Sequence, residues 1–430
     1  MAPNADKVRR PGYAPASNTG VGRRGLHTRD RILTSAADVF LANGFHSTSL
    51  DTIAKAAKSS RATVYQYFAG KEEIFGELSA AAAHDVLDHG DRLGGLGPTA
   101  DGVNALHRWL LDWADIYDAH AAAFAEYPGI GTEMGVVDIG NVAETFAEKV
   151  AARVQAADLT GLDPDDAAAA LMRIPHMVHL YRRRAMFPLP DRTVTSWSLT
   201  VALQLMLFPD TPADALPAAR PHDLDMAASP SPVRGRVGST PSAAVRPPSP
   251  IAQDVLSVSS ALFAERGYHA VGMEEIAAAA DVSRATLYRY FSTKVEILAE
   301  LTRRAVTEID EHAAALPKTT AGPWQEWSLG YVRFHRSYQG VIRAWFDGTV
   351  AEHLSGTETE HGISAIHRAV RALLDNVALP ADIDVEVAAA VFLAVLGRMT
   401  EPTKPGAAES DEHTAALMLD LLKRSLLRPG

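Results

Sequence analysis

Cysteine is absent from the 430 residues. Disulfides, thiolate-bound metals and a cysteine nucleophile are thereby excluded, and a reducing cytoplasm is the expected compartment. No apolar run approaches the ~18 residues that a membrane-crossing helix needs. Met1 to Gly20 has no apolar stretch of the kind a signal peptide carries, so no membrane partner is expected. No segment alternates apolar and polar residues as a half-buried strand does. Positive charge is also scarce: 41 Lys and Arg face 52 Asp and Glu, a net charge of −11. Taken as a sum, that argues against nucleic acid, because phosphate binding needs basic surface.

Chemistry-bearing patterns are equally thin. Gly94-Gly95-Leu96-Gly97 follows no strand and precedes no Gly-Lys-Ser/Thr, so it is no nucleotide loop. His176 and His179 stand at i, i+3, but no third ligand is evident, so no metal is expected. No acid–base pair or nucleophile–base spacing stands out. Neither a cofactor nor an enzymatic activity is expected.

What the chain does contain is a repeat. Residues 32–77 align without a gap on residues 255–300 at a constant offset of 223, with 19 identities in 46 positions. Between the copies, residues 209–250 carry ten prolines among Ala and Ser. That composition reads as a tether rather than a core. Nearly everything else has helical period, with Ala-rich runs at Ala80–Ala83 and Ala167–Ala170. The expected fold is all-α, in two tandem units.

Within each copy the order of elements is specific. Ile32, Ala36, Val39 and Phe40 recur on one helical face, as do Val255, Ser259, Leu262 and Phe263. Gly44 and Gly267 follow, where a helix C-terminus favours a left-handed residue. Thr48-Ser49-Leu50-Asp51 reads as a capping box opening a short helix through Ala57; in the second copy Gly272 is a weaker cap. A turn at Lys58-Ser59 leads into another short helix from Ser60, or Ser283, to Phe68, or Phe291. Two short helices joined by such a turn describe a helix-turn-helix, whose second helix enters the major groove N-terminus first. Arg61 suits bidentate pairing with guanine, Ser60 and Thr63 suit bases or phosphates, and Ala62 permits close approach or meets a thymine methyl. Phe68 belongs to the core, while at least one of Tyr65 and Tyr67 should lean out towards a phosphate. Lys71, at the next helix start, is expected to add charge to a ready anion site.

The run from Leu50 through Ser60-Arg61-Ala62-Thr63-Val64-Tyr65-Gln66-Tyr67-Phe68 to Lys71 resembles the DNA-binding domain of TetR/AcrR-family transcriptional regulators. The run from Met273 through Ser283-Arg284-Ala285-Thr286-Leu287-Tyr288-Arg289-Tyr290-Phe291 to Lys294 resembles it still more. The resemblance covers some 95 residues of the chain. It implies two three-helix DNA-binding domains, each followed by a helical ligand-binding and dimerisation domain. It also implies homodimers on palindromic operators and release by a small molecule; fused units suggest a pair formed within one chain. The first copy departs from the family's usual Gly-Val-Ser turn, having Lys58-Ser59-Ser60.

The expected organisation is an arm (1–22), a first head (23–75), a first helical domain (76–208), a linker (209–250), a second head (251–298) and a second helical domain (299–430). The expected DNA-facing residues are Arg23, Arg24, Thr48, Lys58, Ser60, Arg61, Ala62, Thr63, Tyr65, Gln66, Tyr67 and Lys71 in the first head. In the second they are Ser283, Arg284, Ala285, Thr286, Tyr288, Arg289, Tyr290 and Lys294. The heads differ electrically: residues 23–75 carry eight basic and five acidic side chains, net +3, whereas residues 251–300 carry four and seven, net −3. Because Gln66 stands opposite Arg289 and Lys58-Ser59 opposite Asp281-Val282, an imperfect palindrome is expected. Trp109, Trp113 and Tyr117 in one half, and Trp327, Tyr331, Phe334 and His335 in the other, form aromatic stripes that suit either a core or a pocket. With the resemblance, they point to a small apolar or aromatic effector. The partners expected are thus double-stranded DNA and that effector, with the halves pairing inside the chain and a higher oligomer left open. Two rival readings stay open: a small-molecule sensor with one working head, and a helical protein that has lost DNA contact in one half.

Overall fold

A computed structural model describes residues 19–125, 139–157, 159–221, 249–345, 356–380, 382–402 and 409–428. Among these residues the regular structure is helical throughout, with no strand. The chain divides into two compact units. One comprises residues 1–88, 116–143 and 347–349; the other comprises 89–115, 144–346 and 350–430.

The first unit holds the first copy of the repeat. Helix α1 (Thr19–Asn43) begins inside the stretch expected to be an arm. Its face Ile32, Ala36 and Phe40 is fully buried, and Gly44 ends it at a φ of 76°. Helix α2 (Leu50–Ala56) is capped by Ser49, not Thr48, one residue later than the capping-box reading; Ser49 Oγ accepts from Thr52 N. Helix α3 (Arg61–Tyr67) follows, and α4 (Lys71–Arg92) closes the repeat. Phe40, Phe45 and Phe75 meet with ring centroids 5.1–5.8 Å apart. Ile53, Val64, Phe68 and Ile74 complete this core. Helix α5 (Ala100–Ala119), whose residues up to Asp115 belong to the second unit, stops short of the expected span to residue 126. His120 intervenes, its Nε2 lying 2.7 Å from Asp85 Oδ2. Helix α6 (Ala121–Ala125) then returns to α1, and Ala122 joins the head's core.

The second unit holds the second copy and most of the remaining helices. Helices α7 (Ile139–Gln155), α8 (Pro164–Arg183) and α9 (Arg192–Leu207) belong to half one. Helix α10 (Ala215–Ala219) falls within the stretch read as linker, yet Ala215, Leu216 and Ala219 are buried. The second head consists of α11 (Pro250–Arg266), α12 (Met273–Ala279) and α13 (Arg284–Tyr290), followed by α14 (Lys294–Ala315). Helices α15 (Trp324–Trp345), α16 (Gly356–Leu374), α17 (Val385–Arg398) and α18 (Asp411–Ser425) complete half two.

Helices α8 and α9 pack against α17 and α18, bringing the two halves together within this unit. Every residue of α9 from Val194 to Leu207 is buried, as the absence of any charged residue there demands. The seam also has polar specificity. Arg173 Nη1 donates to the carbonyls of Arg398 and Glu401, at 3.1 and 2.8 Å. From the other side Arg424 donates to the carbonyls of Thr160 and Gly161, at 2.8 and 2.9 Å. Arginine supplies carbonyls at these helix ends and turns with donors that the backbone cannot.

Candidate nucleic-acid interface

The recognition helices start identically in both heads. Ser60 Oγ accepts from Thr63 N at 3.0 Å, and Ser283 Oγ from Thr286 N at 3.1 Å. Each cap satisfies a donor that a helix N-terminus otherwise leaves open. In both heads the Ser and Thr hydroxyls also pair with each other, at 2.8 and 2.9 Å. Their first task is therefore to hold the helix start. Leu287 and Val64 face inward, fully buried, whereas Ser60, Arg61, Ala62 and Gln66, and likewise Ser283, Arg284, Ala285, Tyr288 and Arg289, are exposed. One buried position flanked by exposed ones is what a two-turn helix lying on a small core dictates. Tyr65, Tyr67 and Tyr290 are partly exposed. Tyr290 bonds Ser249 and Arg289, which pull its phenol pKa down.

The turn before each recognition helix is left-handed. Lys58 has φ 47° and Asp281, its repeat equivalent, φ 52°. Lys58 is exposed, and Ser59 next to it accepts from Arg31 Nη2 at 3.2 Å. Arg23 and Arg24 lie on α1, but their side chains fall outside the described residues.

Three residues expected at the interface make contacts within their heads. Thr48 is buried to 3% and its hydroxyl donates to Gly44 O at 2.7 Å. Lys71 Nζ donates to the carbonyls of Phe45 and His46, at 2.8 and 3.0 Å, and sits 4.5 Å from the Phe45 ring centre. Lys294 Nζ does the same to Tyr268 and Val271, at 2.6 and 2.7 Å, over the Tyr268 ring. Both lysines thus tie the fourth helix to the loop after the first. The physical reason is that a tight interhelical loop has carbonyls with no helical donor, and a neighbouring ammonium supplies several at once.

The aromatic stripes are buried. Trp109 Nε1 donates to His89 O at 3.2 Å, and the His89 ring stacks on Trp109 at 4.4 Å. Trp113 stacks on Phe146 at 5.8 Å. Tyr117, further along α5, stacks instead on Phe124 at 4.7 Å. In half two, Trp327 Nε1 donates to His312 O at 2.9 Å, Tyr331 stacks on Trp327 at 5.3 Å, and Phe334 follows at 5.6 Å. His335 Nδ1 lies 2.8 Å from Thr400 Oγ1. Burial pushes the His335 pKa down to about 4 and that of His89 to about 3, so both rings are neutral. Neither ring nitrogen of His89 has a hydrogen-bond partner among the described residues.

The sequence profile of bacterial regulatory proteins of the tetR family matches the chain at residues 32–78 and again at 255–301. Both heads belong to this tetR family. Over 66 residues the chain is 39% identical to the HTH-type transcriptional activator FasR of Mycolicibacterium smegmatis, covering 15% of this chain and 30% of FasR. Over 85 residues it is 33% identical to the HTH-type transcriptional repressor KstR of Mycobacterium tuberculosis, covering 20% and 39%. The chain thus spans about a third of the length of these curated relatives. Salmonella enterica GusR aligns in structure with 27% identity and a TM-score of 0.33, over 42% of this chain and 94% of GusR.

Two features of the tetR-type heads and their bodies escaped the sequence reading. One is a pair of carboxylates, Asp51 and Glu274, set against the recognition arginines: Arg61 Nη1 to Asp51 Oδ2 at 3.1 Å, Arg284 Nη1 to Glu274 Oε1 at 2.7 Å. The repeat offset of 223 would have matched them. The other is the histidine–tryptophan latch. His89 and His312 keep the offset of 223, but Trp109 and Trp327 are 218 apart, as are Trp113 and Tyr331. A change in the intervening loop length hides that correspondence from any ungapped comparison.

Proposed function

We propose that the chain is a DNA-binding transcriptional regulator that reads one operator with two non-identical heads. The observation that carries this reading is the duplicated recognition helix: a capped Ser-Arg-Ala-Thr start, exposed in each head over a buried Val64 or Leu287. Arg61 and Arg284 read guanine, and the exposed Lys58, Gln66, Arg289 and tyrosines meet bases or phosphates. Arg61→Ala should weaken binding at one half-site, and Arg284→Ala at the other, by roughly 1–3 kcal/mol each. Footprints of both variants matching the parent's would refute these assignments.

The functional unit in this reading is one chain, its two halves paired as the two subunits of a homodimer would be. The packing of α8 and α9 on α17 and α18 supports it, together with the arginine links across that seam. Fusion raises the effective concentration of one half for the other. Because the heads differ at Gln66/Arg289 and Lys58/Asp281, the operator is an imperfect palindrome. Light scattering on the DNA-free protein should give the mass of one chain, 46.1 kDa; a stable species of twice that mass overturns the intrachain pair.

The helical bodies receive a small apolar or aromatic effector that releases DNA, and the chain acts as a repressor. In half one, His89 among Trp109, Trp113 and Phe146 supports an effector that also offers a hydrogen bond, since the ring nitrogens have no partner. Trp113→Ala or Trp327→Ala should blunt release. FasR is named an activator and KstR a repressor, so the sign of regulation rests on transcription measured with and without the protein. The reading with a single working head is favoured by one observation, the net −3 of residues 251–300; it predicts that only Arg61→Ala affects binding.

A further inference from the structure

The recognition arginine of each head is engaged from the preceding helix. Asp51 and Glu274 are both the second residue of their helices, α2 and α12, and occupy the same place in the repeat. The side chains of both pairs are more than half exposed: 58% and 63% for Arg61 and Asp51, 64% and 68% for Arg284 and Glu274. An ion pair that open contributes little to stability. A carboxylate beside a DNA-facing arginine also repels phosphate, so it costs general affinity for nucleic acid. What the carboxylate does supply is geometry. A guanidinium has five N–H donors in one plane, and engaging a single Nη leaves the rest of the fork for the O6 and N7 of guanine.

The heads differ at this point. Arg61 is held on two sides, since its Nη2 donates to Tyr65 OH at 3.3 Å and its guanidinium lies 5.5 Å from the Tyr65 ring centre. The repeat equivalent of Tyr65 is Tyr288, which is 44% exposed. Arg284 is paired with Glu274 alone among the described residues. Arg61 must leave Tyr65 before its Nη2 is available beside the Nη1 that Asp51 holds, whereas Arg284 already presents an open edge.

We propose that Asp51 and Glu274 are specificity-determining positioning residues. Each holds the arginine of its head in a fork posed for guanine, and the second head selects guanine more strongly than the first. The proposal rests on the DNA-binding reading of the heads. The same acids also suit the positive end of a helix dipole, but that role does not alter which base is preferred.

The test uses the full chain: wild type, Asp51→Asn, Glu274→Gln and Tyr65→Phe. Each is put through selection from randomised duplexes, followed by affinity measurements on single-base replacements of the selected site. Glu274→Gln should lose about tenfold or more of the guanine preference in one half-site, while binding to unrelated duplex stays level or rises. Asp51→Asn should lose less in the other half-site, and Tyr65→Phe should sharpen guanine preference there. Asn and Gln variants that bind every duplex more tightly with unchanged base preference would show the acids to be simple repulsion and overturn the proposal. Unchanged preference with unchanged affinity, alongside a lowered melting temperature, would reduce them to helix stabilisers and overturn it equally. A wild type that selects no duplex refutes the DNA-binding reading itself, and this inference falls with it.

Discussion

Head one and head two share the serine caps of their recognition helices, their left-handed turns and 19 of 46 residues, yet they are built into the molecule on different terms. Head one belongs to the smaller compact unit and borrows Ala122 of α6 for its core. Head two belongs to the unit that also contains the seam between the halves. There α15 runs unbroken past α11, so close at Gly340 that a Cβ would strike the backbone of Phe263 and Ala264. Ser260 Oγ donates to Ser337 O at 2.6 Å, and Arg343 Nη1 to Ala264 O at 3.3 Å, across the same contact. The corresponding helix of half one, α5, stops before His120. Two heads of the same design thus acquire different mechanical attachments from residues outside the repeat.

Acid should separate the two units most. His89, His107, His176, His179 and His335 all lie in the unit of head two, and burial pushes their pKa values down to about 3 or 4. A histidine whose folded pKa lies below its unfolded value of about 6.5 takes up its proton on unfolding. Stability is therefore complete above about pH 6.5 and is lost as the pH falls towards the folded values, at about 1.4 kcal/mol per pH unit for each histidine. All six tryptophans belong to this same unit, so their emission reports it selectively while far-ultraviolet dichroism reports both units. On moving from about pH 7 to pH 5, urea midpoints by emission should fall steeply. Midpoints independent of pH would contradict the burial of these rings.

Gly340→Ala should come next. A methyl between two helix backbones forces α15 off α11, a cost of about 1–3 kcal/mol that exceeds the gain in helix propensity. The tryptophan-detected transition should shift to lower urea. A variant as stable as the parent would mean that the close approach of head two to α15 is dispensable, and would erase the contrast between the heads.

The smallest effect concerns the turns. A left-handed residue other than glycine costs about 1 kcal/mol or slightly more, and aspartate bears it better than lysine. Lys58→Gly should therefore stabilise head one by about 1 kcal/mol, and Asp281→Gly should stabilise head two by less. Equal gains, or losses, would show that the turns are not where the heads differ in local strain.

The duplicated unit, the helix-turn-helix and the exposed Ser-Arg-Ala-Thr start were legible because they rest on local rules. Helical period, capping serines and glycine after a helix act within a few residues. The loop contacts of Lys71 and Lys294 were not legible, since a lysine near a helix N-terminus suits phosphate as well as it suits the carbonyls of a loop 26 residues earlier in the chain. Thr48 and Ser49 illustrate the same limit at shorter range: both are good caps, and burial of Thr48 against Gly44 O left the task to Ser49. Composition placed α10 in a tether because Pro212 precedes it and Pro217 lies within it, whereas three apolar residues suffice to bury one turn.

By itself the sequence determined that this protein is helical, that it contains one reading head twice, and which four residues open each recognition helix. These follow from interactions among near neighbours, whose geometry the backbone imposes. Only the tertiary structure decided that each recognition arginine meets a carboxylate, that the ring nitrogens of His89 find no hydrogen-bond partner among the described residues, and that head two is pressed against α15. Those outcomes depend on side chains brought together from tens of residues apart, where burial and hydrogen-bond supply at the meeting point, not local preference, select the partner.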